Sequence, residues 1–182
     1  MEKFSVKHIV AIGIGAALFF VLGRFVAIPS PVANTTISIQ YGLLGFIACL
    51  YGPIVGLFVG LIGHTLIDFS YGWGIWWSWV IASGVAGFIM GLVSKKTAIG
   101  REQFGPKSIL RFNLYQIVAH IVAWIVVAPV LDIVIYAEPA NKVFLQGAVA
   151  AAANIVTTAI VGTLLCIAYA AAKPKKNSLE KK

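Results

Sequence analysis

Two polar pairs with helical spacing are the first candidates for chemistry in this chain of 182 residues. His64 and Asp68 lie four residues apart, as do His120 and Trp124, so each pair shares one face of a helix. An imidazole, a carboxylate and an indole together offer hydrogen-bond donors and acceptors beside a flat aromatic surface. This combination favours the binding of a small ring compound. His64 and Asp68 can also simply bond to one another, and that alternative stays open.

Amide and further aromatic side chains extend this candidate binding set. Amides supply a donor and an acceptor at once, and aromatic walls stack on a flat ring. Together they suit a small, polar heteroaromatic compound such as a vitamin precursor. Few acids and a single basic side chain near the set argue against a multiply charged ligand. The predicted substrate-binding residues are Asn34, Gln40, His64, Asp68, Trp76, Trp77, His120, Trp124, Gln146 and Asn154.

The composition indicates which elements must position these residues. The chain is 60% hydrophobic and only 11% charged. A soluble domain devotes about a quarter of its residues to charged side chains. This chain therefore has too few charges to cover a water-facing surface. A soluble enzyme, a disordered tail and a secreted disulfide scaffold are excluded, and an integral membrane protein remains.

Six apolar runs account for nearly all of the chain. A spanning helix needs about 20 mostly apolar residues. The runs are apolar on every face, unlike the alternating strands of a membrane barrel, and lipid then leaves helices as the available structure. We predict an all-α membrane protein, with six transmembrane helices in a compact bundle that forms a single domain over residues 1–182. The predicted spans are residues 9–28, 37–51, 54–69, 76–93, 109–136 and 143–172.

The basic residues predict the orientation of the bundle. If the N-terminus is cytoplasmic, 12 of the 14 Lys and Arg residues lie on the cytoplasmic side, leaving Arg24 and Lys142 outside. We therefore predict that both termini are cytoplasmic. The net charge of +8 then indicates topology rather than nucleic-acid binding, and the basic tail over residues 173–182 can contact anionic lipid. One alternative remains, in which the first run is a cleaved signal peptide.

Several polar and aromatic residues also have structural explanations that stay open. Tryptophans at a membrane boundary often serve as anchors, which applies to Trp73 and Trp79 as well as to the predicted site tryptophans. Arg24 can extend to the outer headgroups. Asp132 can be solvated near the outer edge, as can Glu138. Asn154 can bond to a neighbouring backbone.

No constellation of residues predicts catalysis or metal binding. The sequence contains no phosphate-binding loop, no supported Ser-His-Asp arrangement and no H-E-x-x-H motif. We predict that the chain is not an enzyme, does not hydrolyse ATP and carries no cofactor or metal. A self-contained permease driven by an ion gradient through His64, Asp68 or Asp132 is the alternative function. Against it, the six spans do not divide into two equivalent halves.

Small residues at four-residue spacing predict close packing between helices. Most of these patterns, such as Gly56 with Gly60 and Gly87 with Gly91, are assigned to packing inside the bundle. The first helix carries two overlapping copies, which predict a smooth face for a helix of another protein. The predicted docking residues are Ala11, Gly13, Gly15, Ala16 and Ala17.

Four segments resemble a known family of membrane proteins. They are residues 11–18 (AIGIGAAL), 63–68 (GHTLID), 76–79 (WWSW) and 136–142 (YAEPANK). Together they are similar to the substrate-binding S components of energy-coupling factor vitamin transporters, in the riboflavin-transporter-like subgroup. The resemblance covers nearly the whole chain.

The resemblance implies a substrate, partners and a location. The bundle would bind its vitamin from outside, between the outer loops and the last three helices, and the first and third loops would close over it. The first helix would dock onto a transmembrane coupling subunit, which works with two cytoplasmic ATPase subunits in the bacterial plasma membrane. Within the group, the chain is most similar to proteins assigned to hydroxymethylpyrimidine or pyridoxine, with riboflavin as a further candidate.

Overall fold

The computed structural model describes residues 4–72, 74–97, 99 and 104–173. Trp73 lies outside these residues, as do the basic tail beyond Lys173 and the basic residues Lys3 and Arg101. The fold and the site below are built from the described part of the chain.

Six helices make up most of the described chain. Five are long and apolar enough to cross a membrane, and α2, with 12 residues, is shorter. This architecture confirms the predicted all-α membrane fold. The helices are α1 (Val6–Val26), α2 (Gln40–Tyr51), α3 (Pro53–Tyr71), α4 (Trp77–Thr97), α5 (Pro106–Tyr136) and α6 (Ala140–Ala172).

Two glycines with positive φ separate neighbouring helices. Gly52 has a φ of 92° and Pro53 follows it at the first position of α3, so the chain turns sharply between α2 and α3. Gly72 has a φ of 78° and ends α3 in the left-handed conformation. These turns bring the end of α3 and the start of α4 to the same end of the bundle.

A short β-hairpin connects α1 to α2. Strand β1 (Ile28–Pro29) pairs antiparallel with β2 (Thr36–Ile37), with Ile28 opposite Ile37. The second span was predicted from residue 37, but α2 begins at Gln40 because the preceding residues belong to this hairpin. We use the name hairpin end for the end of the bundle that holds β1, β2 and the α3–α4 and α5–α6 connections.

Three wide π-helical turns interrupt the long helices. They cover Leu22–Val26 in α1, Val122–Val127 in α5 and Thr158–Gly162 in α6. Such turns add a residue to the helix and often occur at functional sites. The turn in α5 contains Trp124, one of the predicted site residues. The turn therefore affects where this indole is placed.

Glycines bring α3 and α4 into direct backbone contact. A Cβ added at Gly56 would lie 2.2 Å from the carbonyl oxygen of Gly87, and one added at Gly60 would lie 2.3 Å from that of Ser83. Both distances are far below van der Waals contact, so only glycine allows this approach. The predicted role of these small residues in internal packing matches the geometry.

The two small-residue patterns of α1 face in different directions. Gly15 and Ala16 are buried, and a Cβ on Gly15 would lie 2.8 Å from a methyl group of Val59. Gly13 and Ala17 are exposed, and a Cβ on Gly13 would meet nothing within 4 Å. The five predicted docking residues therefore do not form one face. Ala11 is half-buried, and the surface left open to a partner is the one around Gly13 and Ala17.

Candidate functional site

Two adjoining cavities lie at the hairpin end of the bundle. The first has a volume of about 310 Å³ and is bordered by α3, the start of α4, the end of α5 and the start of α6. The second has a volume of about 280 Å³ and lies beneath the hairpin, between α2, α3, α5 and α6. Four residues line both cavities: Asn34, His64, Asp68 and Trp79.

Most of the residues predicted from sequence line these cavities. Trp76 and Gln146 line the first cavity together with the shared Asn34, His64 and Asp68. In the second cavity the additional predicted residues are Gln40, Trp124 and Asn154. Trp77 and His120 are not among the lining residues of either cavity.

His64 belongs to a chain of hydrogen bonds between three helices. Its Nδ1 shares a hydrogen bond of 2.5 Å with the Ser83 hydroxyl on α4, which in turn shares one of 2.8 Å with the Tyr41 hydroxyl on α2. Its Nε2 lies 3.6 Å from Oδ1 of Asp68, which is too long for a hydrogen bond. The imidazole is thus held by Ser83 rather than by Asp68.

Asp68 keeps one carboxylate oxygen available at the junction of the two cavities. Its Oδ2 accepts a hydrogen bond of 2.9 Å from the backbone N–H of Trp76. The residue is only 6% exposed and lines both cavities. Within the described chain, Oδ1 has the contact with His64 at 3.6 Å and no shorter polar one. This oxygen can accept a hydrogen bond from a ligand amine or hydroxyl.

Aromatic rings form the wall of the second cavity. The Trp79 and Trp124 rings lie 5.2 Å apart, and the Tyr41 ring meets Trp124 edge to face at 5.3 Å. Rings at these distances form a rigid, polarised surface that can stack on a flat ligand.

Asn154 presents a buried amide to the second cavity. The residue is 4% exposed, and the described residues provide no hydrogen bond to its side chain. The amide atoms are not among the fully buried polar atoms without a partner, so they face the cavity and can bond to a ligand with a matching donor and acceptor. The alternative in which a neighbouring backbone satisfies this amide is not seen in the structure.

His120 and Trp77, two of the predicted site residues, line neither cavity. His120 is fully buried, with Nδ1 accepting a 3.0 Å hydrogen bond from the Trp124 indole and Nε2 sharing one of 3.0 Å with Thr158. Both ring nitrogens therefore have a hydrogen-bond partner, and the imidazole holds the Trp124 indole through its N–H group. Trp77 is half exposed, and its backbone N–H donates to the Tyr136 hydroxyl.

Two side chains from the start of α6 form polar contacts at the edge of the first cavity. Nε2 of Gln146 donates a 2.9 Å hydrogen bond to the carbonyl of Ala33 in the hairpin loop. Nζ of Lys142 forms an ion pair of 2.6 Å with Glu138, and both residues line the first cavity. The side chain of Lys142 is thus already neutralised. Among the described residues, no three His, Cys, Asp or Glu side chains are grouped as a metal site would require.

Comparison with known proteins places this chain in a family. The family model for the S component of the ECF-type riboflavin transporter matches residues 3–171. A protein of Lactobacillus helveticus named UPF0397 is 53% identical over 99% of this chain and 97% of its own length. Relatives with the same family name in Leuconostoc citreum and Staphylococcus aureus are 52% and 48% identical over 98% and 100% of this chain, and over 95% and 98% of their own lengths. The chain belongs to the ECF transporter S components.

Membership in this family agrees with the structure and gives the site its general role. The S component is a multi-pass membrane protein and the substrate-binding subunit of a transporter rather than an enzyme. Its family works with a small-molecule substrate, a transmembrane coupling subunit and ATPase subunits. The two cavities at the hairpin end combine an aromatic wall with polar side chains.

Trp79 and Asp132 line the cavities but were not among the predicted contacts. Trp79 lines both cavities, and it lies three residues after Trp76, a spacing that already places both indoles on one helix face. Asp132 is 1% exposed and lines the first cavity, so it is not solvated at the membrane edge. An ionisable residue within a span is a functional candidate by default, and that signal was present in the sequence.

Proposed function

We propose that this S component binds a small heteroaromatic vitamin or vitamin precursor from outside the cell. The observation that carries the proposal is that the Trp79 and Trp124 rings, the Asn154 amide and the available Asp68 oxygen all line the second cavity. A flat ring would stack on the indoles while its heteroatoms and substituents bond to Asn154 and Asp68.

The size of the cavities favours a single-ring substrate. Pockets for small molecules measure about 300–1,000 Å³. Each cavity alone, at about 310 and 280 Å³, is at the lower end of this range. Hydroxymethylpyrimidine or pyridoxine needs one cavity, whereas riboflavin, with three fused rings and a sugar-alcohol chain, needs both. We therefore favour the two smaller compounds and keep riboflavin as the larger candidate.

The charges of the first cavity favour a substrate without phosphate groups. Asp68, Asp132 and Glu138 line it, and its cation, Lys142, is paired with Glu138. A phosphorylated ligand would meet carboxylates without a free cation to offset them. Free vitamins should therefore bind more tightly than their phosphate esters.

The proposed ligand contacts are the predicted residues that line the cavities, together with Trp79. The Asp68 carboxylate accepts hydrogen bonds, the Asn154 amide both accepts and donates them, and Trp79 and Trp124 stack. His64 and Gln40 orient polar groups from α3 and α2. The remaining proposed contacts are Asn34, Trp76 and Gln146.

We further propose a membrane orientation and partner subunits for this protein. The distribution of Lys and Arg supports an orientation with the hairpin end outside and both termini in the cytoplasm of a bacterial cell. The open surface around Gly13 and Ala17 on α1 would receive the coupling subunit, and two ATPases would drive release toward the cytoplasm. The basic residues predicted at the cytoplasmic end would contact anionic lipid.

Native mass spectrometry of the purified protein is the first test, because a tightly bound vitamin remains with it. Calorimetry with hydroxymethylpyrimidine, pyridoxine and riboflavin then ranks the candidates, with the phosphate ester of pyridoxine as the charged comparison. We expect one of the three to bind tightly. The ester should bind at least tenfold more weakly, because its phosphate would meet carboxylates without a free cation to pair with. Tight binding of the ester would refute the proposed substrate class.

The alternative function is a permease that works alone on an ion gradient through His64, Asp68 or Asp132. The family assignment favours the ATP-driven subunit. Reconstitution into vesicles separates the two. Uptake that requires the coupling subunit, the ATPases and ATP supports the S component, whereas uptake by the purified chain alone supports the permease.

A further inference from the structure

Asp132 has an environment that its role as a lining residue does not explain. It lies one turn before the end of α5 and is almost completely buried. Among the described residues, Lys142 pairs with Glu138 and no Lys, Arg or His lies within ion-pair distance of Asp132. A buried carboxylate without a cation requires strong hydrogen-bond donors.

Three donors from the start of α4 supply this stabilisation. The Trp76 indole N–H donates to Oδ1 at 2.6 Å, and the Trp79 indole N–H donates to Oδ2 at 2.8 Å. The Ser78 hydroxyl also donates to Oδ1. Hydrogen bonds to an ionised acceptor are roughly twice as strong as neutral ones. One carboxylate on α5 therefore holds the indole of Trp76, just before α4, and that of Trp79 in its first turn.

These hydrogen bonds determine where the two ring faces lie. An indole has a single N–H, so anchoring that group fixes the rotation of the ring about its side-chain bonds. Trp76 is held in a stack on Tyr136 with the ring centres 4.1 Å apart, and Trp79 is held beside Trp124. Both rings line the first cavity, and Trp79 also lines the second.

We propose that Asp132 is a positioning residue that orients Trp76 and Trp79 for stacking on the substrate. It acts through the two indole N–H groups and does not itself contact the substrate. The proposal rests on the proposed function as far as the stacking partner is concerned. The orientation of the rings in the ligand-free protein is independent of that function.

The test uses Asp132→Asn in the full-length protein. The amide has the same shape but carries one N–H₂ group in place of an acceptor oxygen, so it cannot accept from both indoles. The affinity for the tightest of hydroxymethylpyrimidine, pyridoxine and riboflavin should fall by at least about tenfold, as expected for the loss of a charge-assisted hydrogen bond. In a Trp76→Phe/Trp79→Phe background the same change should cost less than about twofold, because the groups through which it acts are gone.

Fluorine NMR of protein labelled with 5-fluorotryptophan gives a readout that does not depend on the ligand. The resonances of Trp76, Trp77 and Trp79 are assigned with the three single Phe variants. In Asp132→Asn those of Trp76 and Trp79 should shift or broaden, while that of Trp77 serves as the control because its indole is not bonded to Asp132.

Three results would overturn the proposal. Unchanged Trp76 and Trp79 resonances would show that Asp132 does not hold the rings. An unchanged affinity would show that their orientation does not affect binding, and an equal loss in both backgrounds would show that Asp132 contacts the substrate directly. If the unsubstituted protein binds none of the three compounds, the proposed function fails, and the fluorine spectrum alone decides whether Asp132 positions the rings.

Discussion

Asp68 combines a structural contact and an available acceptor in one side chain. Its Oδ2 holds the backbone of Trp76, while Oδ1 faces the junction of the cavities. Substitution by Asn can therefore distinguish the roles of the two oxygens, because the amide keeps one acceptor oxygen and loses the other together with the negative charge.

We predict that Asp68→Asn weakens substrate binding by roughly tenfold to a hundredfold, since a hydrogen bond to a charged acceptor is lost. Isothermal titration calorimetry on the purified protein measures this. Glu138→Gln removes a charge from the same cavity, but Glu138 is already paired with Lys142, so its effect should be smaller. Equal effects of the two substitutions would indicate that only the total charge of the cavity matters.

Asn154 and His120 lie close to the same rings but should respond differently to substitution. Asn154 has no side-chain hydrogen bond within the described chain, whereas His120 has two. We predict that Asn154→Ala lowers affinity and leaves thermal stability in detergent unchanged or slightly higher. His120→Leu should lower stability by about 1–3 kcal/mol for each partner left unsatisfied. A stability loss in Asn154→Ala as large as that in His120→Leu would show that the amide is a structural group.

At the scale of the elements, the contact between α3 and α4 brings backbone directly against backbone. The carbonyl oxygens of Gly87 and Ser83 occupy the space that side chains at Gly56 and Gly60 would need. His64 and Asp68 on α3 and Ser83 on α4 depend on this spacing for their positions.

Gly56→Val should therefore separate α3 from α4 and destabilise the fold by about 1–3 kcal/mol or more, as overpacking does. The melting temperature in detergent reports this change. Gly13→Val is the matched control, because a side chain at Gly13 meets nothing within 4 Å in this chain. A melting temperature lowered equally by both substitutions would mean that the loss reflects helix propensity rather than packing.

A separate prediction concerns the contact between the exposed small residues of α1 and the coupling subunit. We expect Ala17→Phe to abolish uptake by the assembled transporter while substrate binding to the isolated subunit stays unchanged, because Ala17 is exposed and lines neither cavity. Transport assays in vesicles and calorimetry measure the two properties. Substitution of Gly15 is less informative, since Gly15 contacts Val59 and its enlargement disturbs the bundle itself. Normal uptake by Ala17→Phe would show that the coupling subunit docks elsewhere.

At the scale of the whole molecule, the proposed orientation can be measured directly. Pro31 in the hairpin loop and Lys173 after α6 lie at opposite ends of the bundle, and both are exposed. The two native cysteines, Cys49 and Cys166, are buried. A membrane-impermeant maleimide should label Pro31→Cys in intact cells and Lys173→Cys only after permeabilisation. The reverse pattern would invert the proposed topology.

The helices could be predicted from the sequence because the length of an apolar run is a local property. The hairpin could not, since pairing of Ile28 with Ile37 depends on tertiary contacts, and this moved the start of α2 to Gln40. The sequence also could not predict which of the α1 glycines faces the protein core and which faces outward. Lipid and protein core are both apolar, so hydrophobic periodicity does not distinguish the face of Gly15 from that of Gly13.

The binding site could be predicted in its chemistry but only partly in its residues. Polar groups in lipid are costly, which made His64, Asp68 and Asn154 recognisable. The surroundings of His120 and Asp132 depend on partners from distant helices, namely Thr158 on α6 and the tryptophans of α4. No spacing along the chain reveals such partners.

The glycine contact between α3 and α4 also has a consequence for movement. Helices separated by side chains can slide as those side chains change rotamer, but here backbone meets backbone at Gly56 and Gly87. The two helices should therefore move as one rigid body. The half of the site that they carry would keep its shape through the transport cycle, and release of the substrate would come from withdrawal of the opposite walls, the hairpin and α5–α6.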